Sequence, residues 1–347
     1  MRRVVLLVAM LTAVAAVGLQ PVSGEQDGAT RTAGPRATGN YVVPRTAWGD
    51  PDLQGIWPGT AMVGVPLQRA PEFGNRNLLT DAEFAARQAA AAKQAEADSA
   101  EFDIDNVPAD VVAMGTVGGP VSPPPHWLER GEPSKQASLI VDPPDGRIPP
   151  LTPEAQARIA ARQAARAGRG PADSYEDRSN YDRCITRGLM GSVLPVIYNN
   201  GNQIVQTPGY VVIRNEMIHE TRIVPLDGRP HVGSNIRTFL GDSRGRWDGN
   251  TLIVETTNFT DKTAIGVNGG GNAHTEALRI TERLTRVAPD TIQYEATIDD
   301  PRTWTRPWTL SFPWKQESSY GFFEYACHEG NYSLFNILSG HRADERK

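Results

Sequence analysis

Cys327, His328 and Glu329 stand side by side at the end of the aromatic run GFFEYACHE. The triplet combines a nucleophile or metal ligand, a general acid–base group and a carboxylate. Read as a strand, the run sends His328 to the same face as Phe322, Glu324 and Ala326, and Cys327 to the face of Tyr325 and Glu329. The chain contains one other cysteine, Cys184, so one intramolecular pairing exists. A Cys184–Cys327 disulfide would remove Cys327 from nucleophilic and metal chemistry. It would also hold His328 on a rigid strand end, as a general acid–base group requires. Closing so long a loop contributes about 4–5 kcal/mol in the chain-entropy account of disulfides.

Polar residues on otherwise apolar strand faces are the next candidates, because burying them is costly unless they are partnered. In ALRITERLTRV the inward set is Leu278, Ile280, Glu282 and Leu284, with Glu282 as the exception. In WTRPWTLSFPW the set is Trp304, Arg306, Trp308, Leu310, Phe312 and Trp314, interrupted by Arg306. Glu282 and Arg306 are therefore expected to face each other, as a buried pair or as the polar floor of a cavity. In NEMIHETRI, read as one strand, His219 shares a face with Met217, Thr221 and Ile223. The turn LDGRPH then brings His231 back toward it. With His328 or a carboxylate this would be a three-ligand metal set, but the spacing is poor, and no bound metal is expected. Arg244 and Arg246 in GDSRGRWDGN are candidates for anion binding. The proposed catalytic groups are His219, His328 and Glu282. The proposed substrate-binding groups are Arg306, Trp304, Trp308, Tyr325, Arg246 and Asn258.

The elements that must position these groups are mostly strands. From Tyr181 onward, NQIVQT, YVVIRNEMIHETRIVPL, TLIVETTNFT, ALRITERLTRV, TIQYEATID, WTRPWTLSFPW and FFEYACHE follow one another between short turns, and VAPDT reads as a Pro-Asp hairpin turn. This predicts a mainly β fold: an antiparallel barrel or strongly curled, lipocalin-like sheet over residues 180–340, with 341–347 as a tail. Residues 46–179 read as an arm wrapping that core and carrying two helices. One is capped by Thr80 with Glu83 as a capping box, the other by Thr152 with Pro153 at its first position. The Pro/Gly-rich stretch 107–132 reads as extended wrapping chain.

The first residues, MRRVVLLVAMLTAVAAVGLQPVSG, have the charged, apolar and small-residue layout of a secretory signal over 1–24, followed by a leader over 25–45. This predicts a periplasmic or secreted protein with no stable membrane insertion after cleavage. The chain carries 40 acidic and 35 basic residues, with the arginines scattered, and so lacks the concentrated basic face that nucleic acid requires. Neither a phosphate-binding lysine loop nor a dinucleotide fingerprint occurs, and no cofactor is expected.

The strings YNN, EMIHETRIVPLDGRPH, GDSRGRWDGNTLIVETTNFTDKT, DDPRTWTRPW and EYACHEGNY resemble a large family of secreted bacterial proteins of unassigned function. The resemblance covers roughly residues 45–345. It implies export and a shared β-rich fold, and supplies neither a reaction nor catalytic residues. Two functions follow as expectations. One is an exported enzyme acting on a small, partly apolar organic molecule by His/Glu acid–base chemistry, as a lyase, isomerase or hydrolase. The other is a non-catalytic, lipocalin-like carrier of a hydrophobic ligand.

Overall fold

The computed structural model of the protein describes residues 41–99, 128–129 and 131–346. The expected signal segment, nearly all of the leader and most of the 107–132 wrapping stretch lie outside the described residues. Among the described residues no helix is long and apolar enough to cross a membrane.

Two antiparallel sheets carry the fold. The smaller has four strands in the order β1 (Gly55–Ile56), β3 (Asn202–Thr207), β4 (Tyr210–Asn215), β5 (Thr221–Pro225). The larger has six, in the order β2 (Ile140–Asp142), β12 (Trp308–Lys315), β11 (Thr291–Asp299), β10 (Arg279–Ala288), β7 (Thr251–Thr257), β6 (Asp242–Asp248). Two-residue strands β8 (Ala264–Ile265) and β9 (Asn272–Ala273) form a separate ribbon. The sheets are open, with β2 and β6 at the edges of the larger. The expected closed barrel is thus replaced by two sheets on one core. Alternation along a strand reports that one face is buried, but it carries no information on whether the outermost strands meet. The arm is also more than a wrapping, since β1 and β2 each add an edge strand to one sheet.

The helical expectations hold. Helix α1 (Asp81–Ser99) begins with Glu83 Oε2 accepting from Thr80 N at 2.8 Å and Thr80 Oγ1 accepting from Glu83 N at 3.3 Å. In α2 (Pro153–Ala165) Thr152 Oγ1 accepts from Ala155 N at 3.1 Å. A short buried helix, α3 (Gly188–Val193), precedes β3. Residues 332–344, expected as the end of the β domain and a tail, instead form helix α4 (Tyr332–Asp344). FFEYACHE is not a strand but an irregular segment leading into a turn.

Strand facing was legible in β10 and β12. Ile280, Glu282 and Leu284 are buried, as are Trp308, Leu310, Phe312 and Trp314. Tyr294 of β11 stacks on Trp314 with ring centroids 4.5 Å apart and packs against Phe312 at 5.4 Å, so the core is filled with aromatic rings. Trp304 and Trp308, expected at the substrate, belong to that core and meet edge-to-face at 5.6 Å.

The expected Glu282–Arg306 pair does not form. Glu282 is fully buried, and its partner is Arg222 of β5, bonded through both carboxylate oxygens at 2.5 and 2.9 Å. Tyr294 Oη donates to the same carboxylate at 2.9 Å. Arg306 lies before the strand, half exposed, against Asp142 at 3.1 Å. Pro307 separates it from β12, which breaks the alternation on which the expectation rested. The Arg222–Glu282 pair ties the two sheets together where β5 approaches β6. At Gly245 of β6 an added Cβ would lie 2.6 Å from Leu226 and 2.7 Å from Val224, so only glycine allows that approach.

Denaturant unfolding of single and paired variants measures this tie. Glu282→Gln and Arg222→Met are each expected to destabilise by about 3–5 kcal/mol, because each leaves one buried group unmatched, and the double apolar replacement to cost less than their sum. Arg306→Met is expected to stay within about 1 kcal/mol of the parent, as for an exposed pair. Additive losses at 222 and 282 would contradict the coupling.

Candidate functional site

The disulfide expected from the sequence is present. Cys184 and Cys327, 143 residues apart, are bonded with Cα atoms 5.6 Å apart. It joins the loop that follows α2 to the irregular segment that follows β12, and each segment carries a tyrosine close to its cysteine. Tyr181 Oη lies 3.2 Å from Tyr325 Oη and 2.9 Å from Tyr198 Oη, the last on the loop between α3 and β3. Three hydroxyls carry three protons, and these two bonds use two of them. One O–H therefore remains to donate elsewhere.

Beneath them sits the buried Arg187, its guanidinium carbon 5.1 Å from the Tyr181 ring centroid. Burial raises the pKa of all three phenols, while the charge of Arg187 pulls the other way. For Tyr198, hydrogen bonding and proximity to Tyr181 add to burial and push it up to about 12. All three are neutral donors at pH 7. Buried Glu220 accepts hydrogen bonds from the Arg187 backbone and from the hydroxyls of Thr186 and Ser192, and burial raises the pKa of Glu220.

These phenols face a cleft of about 1220 Å³. Its apolar lining includes Phe323, Leu334 and Ile337, the last two from α4, and Phe323 is 69% exposed. A second fastening shapes the cleft beside the disulfide. After β4 the chain reverses through Ile218 (φ 55°) and His219 (φ 47°), left-handed conformations that cost energy for residues other than glycine. Glu216 at that turn accepts from Phe323 N at 2.8 Å, Asn199 Nδ2 at 3.1 Å, Gly201 N at 3.2 Å and Tyr320 Oη at 2.5 Å. Glu129 accepts from Asn199 N at 2.7 Å and Asn200 N at 2.9 Å, and lies 3.1 Å from Tyr320 Oη. With their oxygens already engaged, both carboxylates hold backbone in place. They are not arranged to take a proton from a ligand.

Of the sequence candidates, only Tyr325 and the disulfide cysteines line this cleft. His219 Nδ1 lies 3.2 Å from the carbonyl oxygen of Tyr325. A carbonyl only accepts, so Nδ1 carries the proton and His219 braces Tyr325 from behind. His328 is exposed on the turn after the disulfide, and Glu282 is sealed in the core, so the three proposed catalytic groups do not converge. His231 is bound to Asp242 at 2.9 Å, apart from His219. Arg246 pairs with Glu255 at 3.3 Å and Arg244 with Asp242 at 2.7 Å. Asn258 donates to the carbonyls of Val232, Gly233 and Ile236, closing a loop. Among the described residues, three potential metal ligands gather at Asp173, His341 and Glu345, where the Arg342 guanidinium already takes Glu345 at 3.1 Å. Tyr181, Tyr198, Arg187 and Glu216 were not singled out from the sequence. The one available signal was the position of Tyr181 and Tyr325, each within three residues of a paired cysteine.

No known protein family, curated protein or solved structure matches the chain.

Absorbance titration of phenolate formation is expected to show a phase near pH 12 that Tyr198→Phe removes. The sign for stability follows by linkage. The unfolded chain releases this proton near pH 10, before the folded chain does, so the contribution is complete below about pH 10 and is lost between about 10 and 12. Reducing the disulfide is expected to lower the pKa of the cleft tyrosines by exposing them to water. If all tyrosines titrate together in the oxidised protein, the cluster is not formed as described.

Proposed function

We propose that this chain is an exported binding protein for a small, partly apolar organic acid, held in the cleft beside the disulfide. The observation that carries this reading is the convergence of three phenol hydroxyls, with one proton to spare, above the Arg187 guanidinium. A carboxylate or enolate oxygen suits that arrangement, because it accepts the spare O–H and lies near a buried cation. The apolar body of the ligand would rest against Phe323, Leu334 and Ile337. A disulfide and the signal-like first residues support export, as does the resemblance to secreted proteins. The carrier reading thus moves ahead of the His/Glu enzyme, but with its cavity outside the filled core instead of inside a barrel.

A second reading, an acid–base enzyme of lyase or isomerase type in the same cleft, is favoured by one observation. A linked set of phenols can pass a proton to an oxygen on which negative charge develops. In that reading Tyr181, Tyr198 and Tyr325, rather than His219, His328 and Glu282, supply the acid.

The test is equilibrium binding of a panel of aryl and alkyl carboxylates, followed by calorimetry. The parent is expected to prefer carboxylates over the matching alcohols, and Tyr198→Phe or Tyr325→Phe to weaken binding about tenfold, the scale of one hydrogen bond to a charged group. Equal affinity for acids and alcohols, unchanged in both variants, would remove the proposal. Chemical conversion of a bound acid that Tyr198→Phe abolishes would favour the enzyme.

A further inference from the structure

A second pocket, of about 510 Å³, is lined in part by Arg187 and has a different character. Its walls carry five cationic side chains, Arg162, Arg178, Arg183, Arg187 and Lys262, against two carboxylates, Glu176 and Asp261. The excess is positive in a chain whose net charge is −5. Two of the cations are neutralised locally, Arg162 by Asp261 at 2.9 Å and Arg178 by Asp182 at 3.0 Å. Arg183 and Lys262 have no carboxylate partner among the described residues, although they come from chain segments far apart in sequence. Glu176 is the one lining carboxylate outside these pairs, and the positive excess that remains favours an anion in the pocket.

The pocket is also preformed. Arg183 is steadied by the Tyr175 ring, 5.1 Å from its guanidinium carbon, and the Lys262 backbone is held by Asn180 Nδ2 donating to its carbonyl at 2.8 Å. One wall is made by backbone packed on backbone. At Gly269 (φ +67°) an added Cβ would sit 2.4 Å from the Arg187 carbonyl oxygen. Thr186, Thr263 and Asn180 also line the pocket; the hydroxyl protons of Thr186 and Thr263 are committed to Glu220 and His274, and Asn180 keeps its second N–H. The volume falls within the range of small-molecule sites.

We propose that this pocket binds a small molecule bearing a phosphate or sulfate group, with Arg183 and Lys262 as the residues that pair with its charge. This site is separate from the carboxylate cleft and does not depend on that reading. A compact dianion, such as a phosphate monoester or a free sulfate ion, matches two unpaired cations better than a carboxylate does, and the second Asn180 N–H suits one of its acceptor oxygens.

The experiment is calorimetric titration of the full chain at low ionic strength with inorganic phosphate, inorganic sulfate and phenyl phosphate. Saturable binding is expected, weakening as salt rises. Loss of about tenfold in affinity is expected for Arg183→Ala and for Lys262→Ala, on the scale of one charge-assisted contact. Arg183→Lys keeps the charge and is expected to retain binding within about threefold, and Arg306→Met, at an exposed arginine outside the pocket, to leave phosphate affinity unchanged. Tighter binding of phenyl phosphate than of inorganic phosphate would identify an organic ester as the ligand, and the reverse order a free ion. Absence of saturable binding, or equal binding by the parent, Arg183→Ala and Lys262→Ala, each checked for a parent-like circular dichroism spectrum, would overturn the proposal.

Discussion

The Arg222–Glu282 ion pair is the constraint around which the two sheets are arranged. Both groups are almost wholly removed from water, and both carboxylate oxygens are bonded to the guanidinium. Such a pair adds little net stability over a well-packed apolar replacement. Its effect is directional, because the bidentate geometry admits one placement of β5 against β10, whereas apolar contacts admit several. Tyr294 then stacks on Trp314 and donates to Glu282, so the aromatic core and the ion pair share an atom contact. The missing side chain at Gly245 allows β6 to come close enough for this to happen.

The candidate site lies away from that core, where regular pairing stops. The segment from Tyr320 to Cys327 has no ladder, and side chains supply part of its backbone pairing: Glu216 accepts from Phe323 N, and His219 joins Cys327 N at the Tyr325 carbonyl. Backbone polar groups must find partners somewhere, and here the partners belong to the strained turn after β4. The same contacts that stabilise an irregular loop therefore aim its tyrosine at the other two phenols.

Much of the fold was legible because strand residues obey a period of two whatever their partners. NQIVQT and TIQYEATID correspond residue for residue to β3 and β11, and Glu282 was identified as a buried exception. Its partner was not legible, since Arg222 lies in a segment whose pattern ran unbroken through Met217–His219. No glycine or proline marked the left-handed turn there, and Pro307 was passed over beside Arg306. The site was hidden for a related reason. Its three tyrosines come from positions 181, 198 and 325, on irregular chain where no periodicity links residues. Only the cysteine pairing connected two of them in advance. The C-terminal helix is marked in the sequence only by a short stripe, Leu334, Ile337 and Leu338, each half-buried.

That helix has a consequence for how the cleft behaves over time. None of its residues is buried, and it is held by polar contacts: Asn331 to the Asp182 carbonyl, His341 to Asp173, and Arg342 to the Ala172 carbonyl. Releasing it exposes only the covered parts of Leu334, Ile337 and Leu338, so its opening costs a few hydrogen bonds and a small apolar contact, below the cost of opening either sheet. One wall of the cleft thus belongs to a unit that can detach and return while the disulfide keeps the opposite wall in place. Exchange of a ligand can then proceed by sub-global fluctuation, on a clock independent of global unfolding.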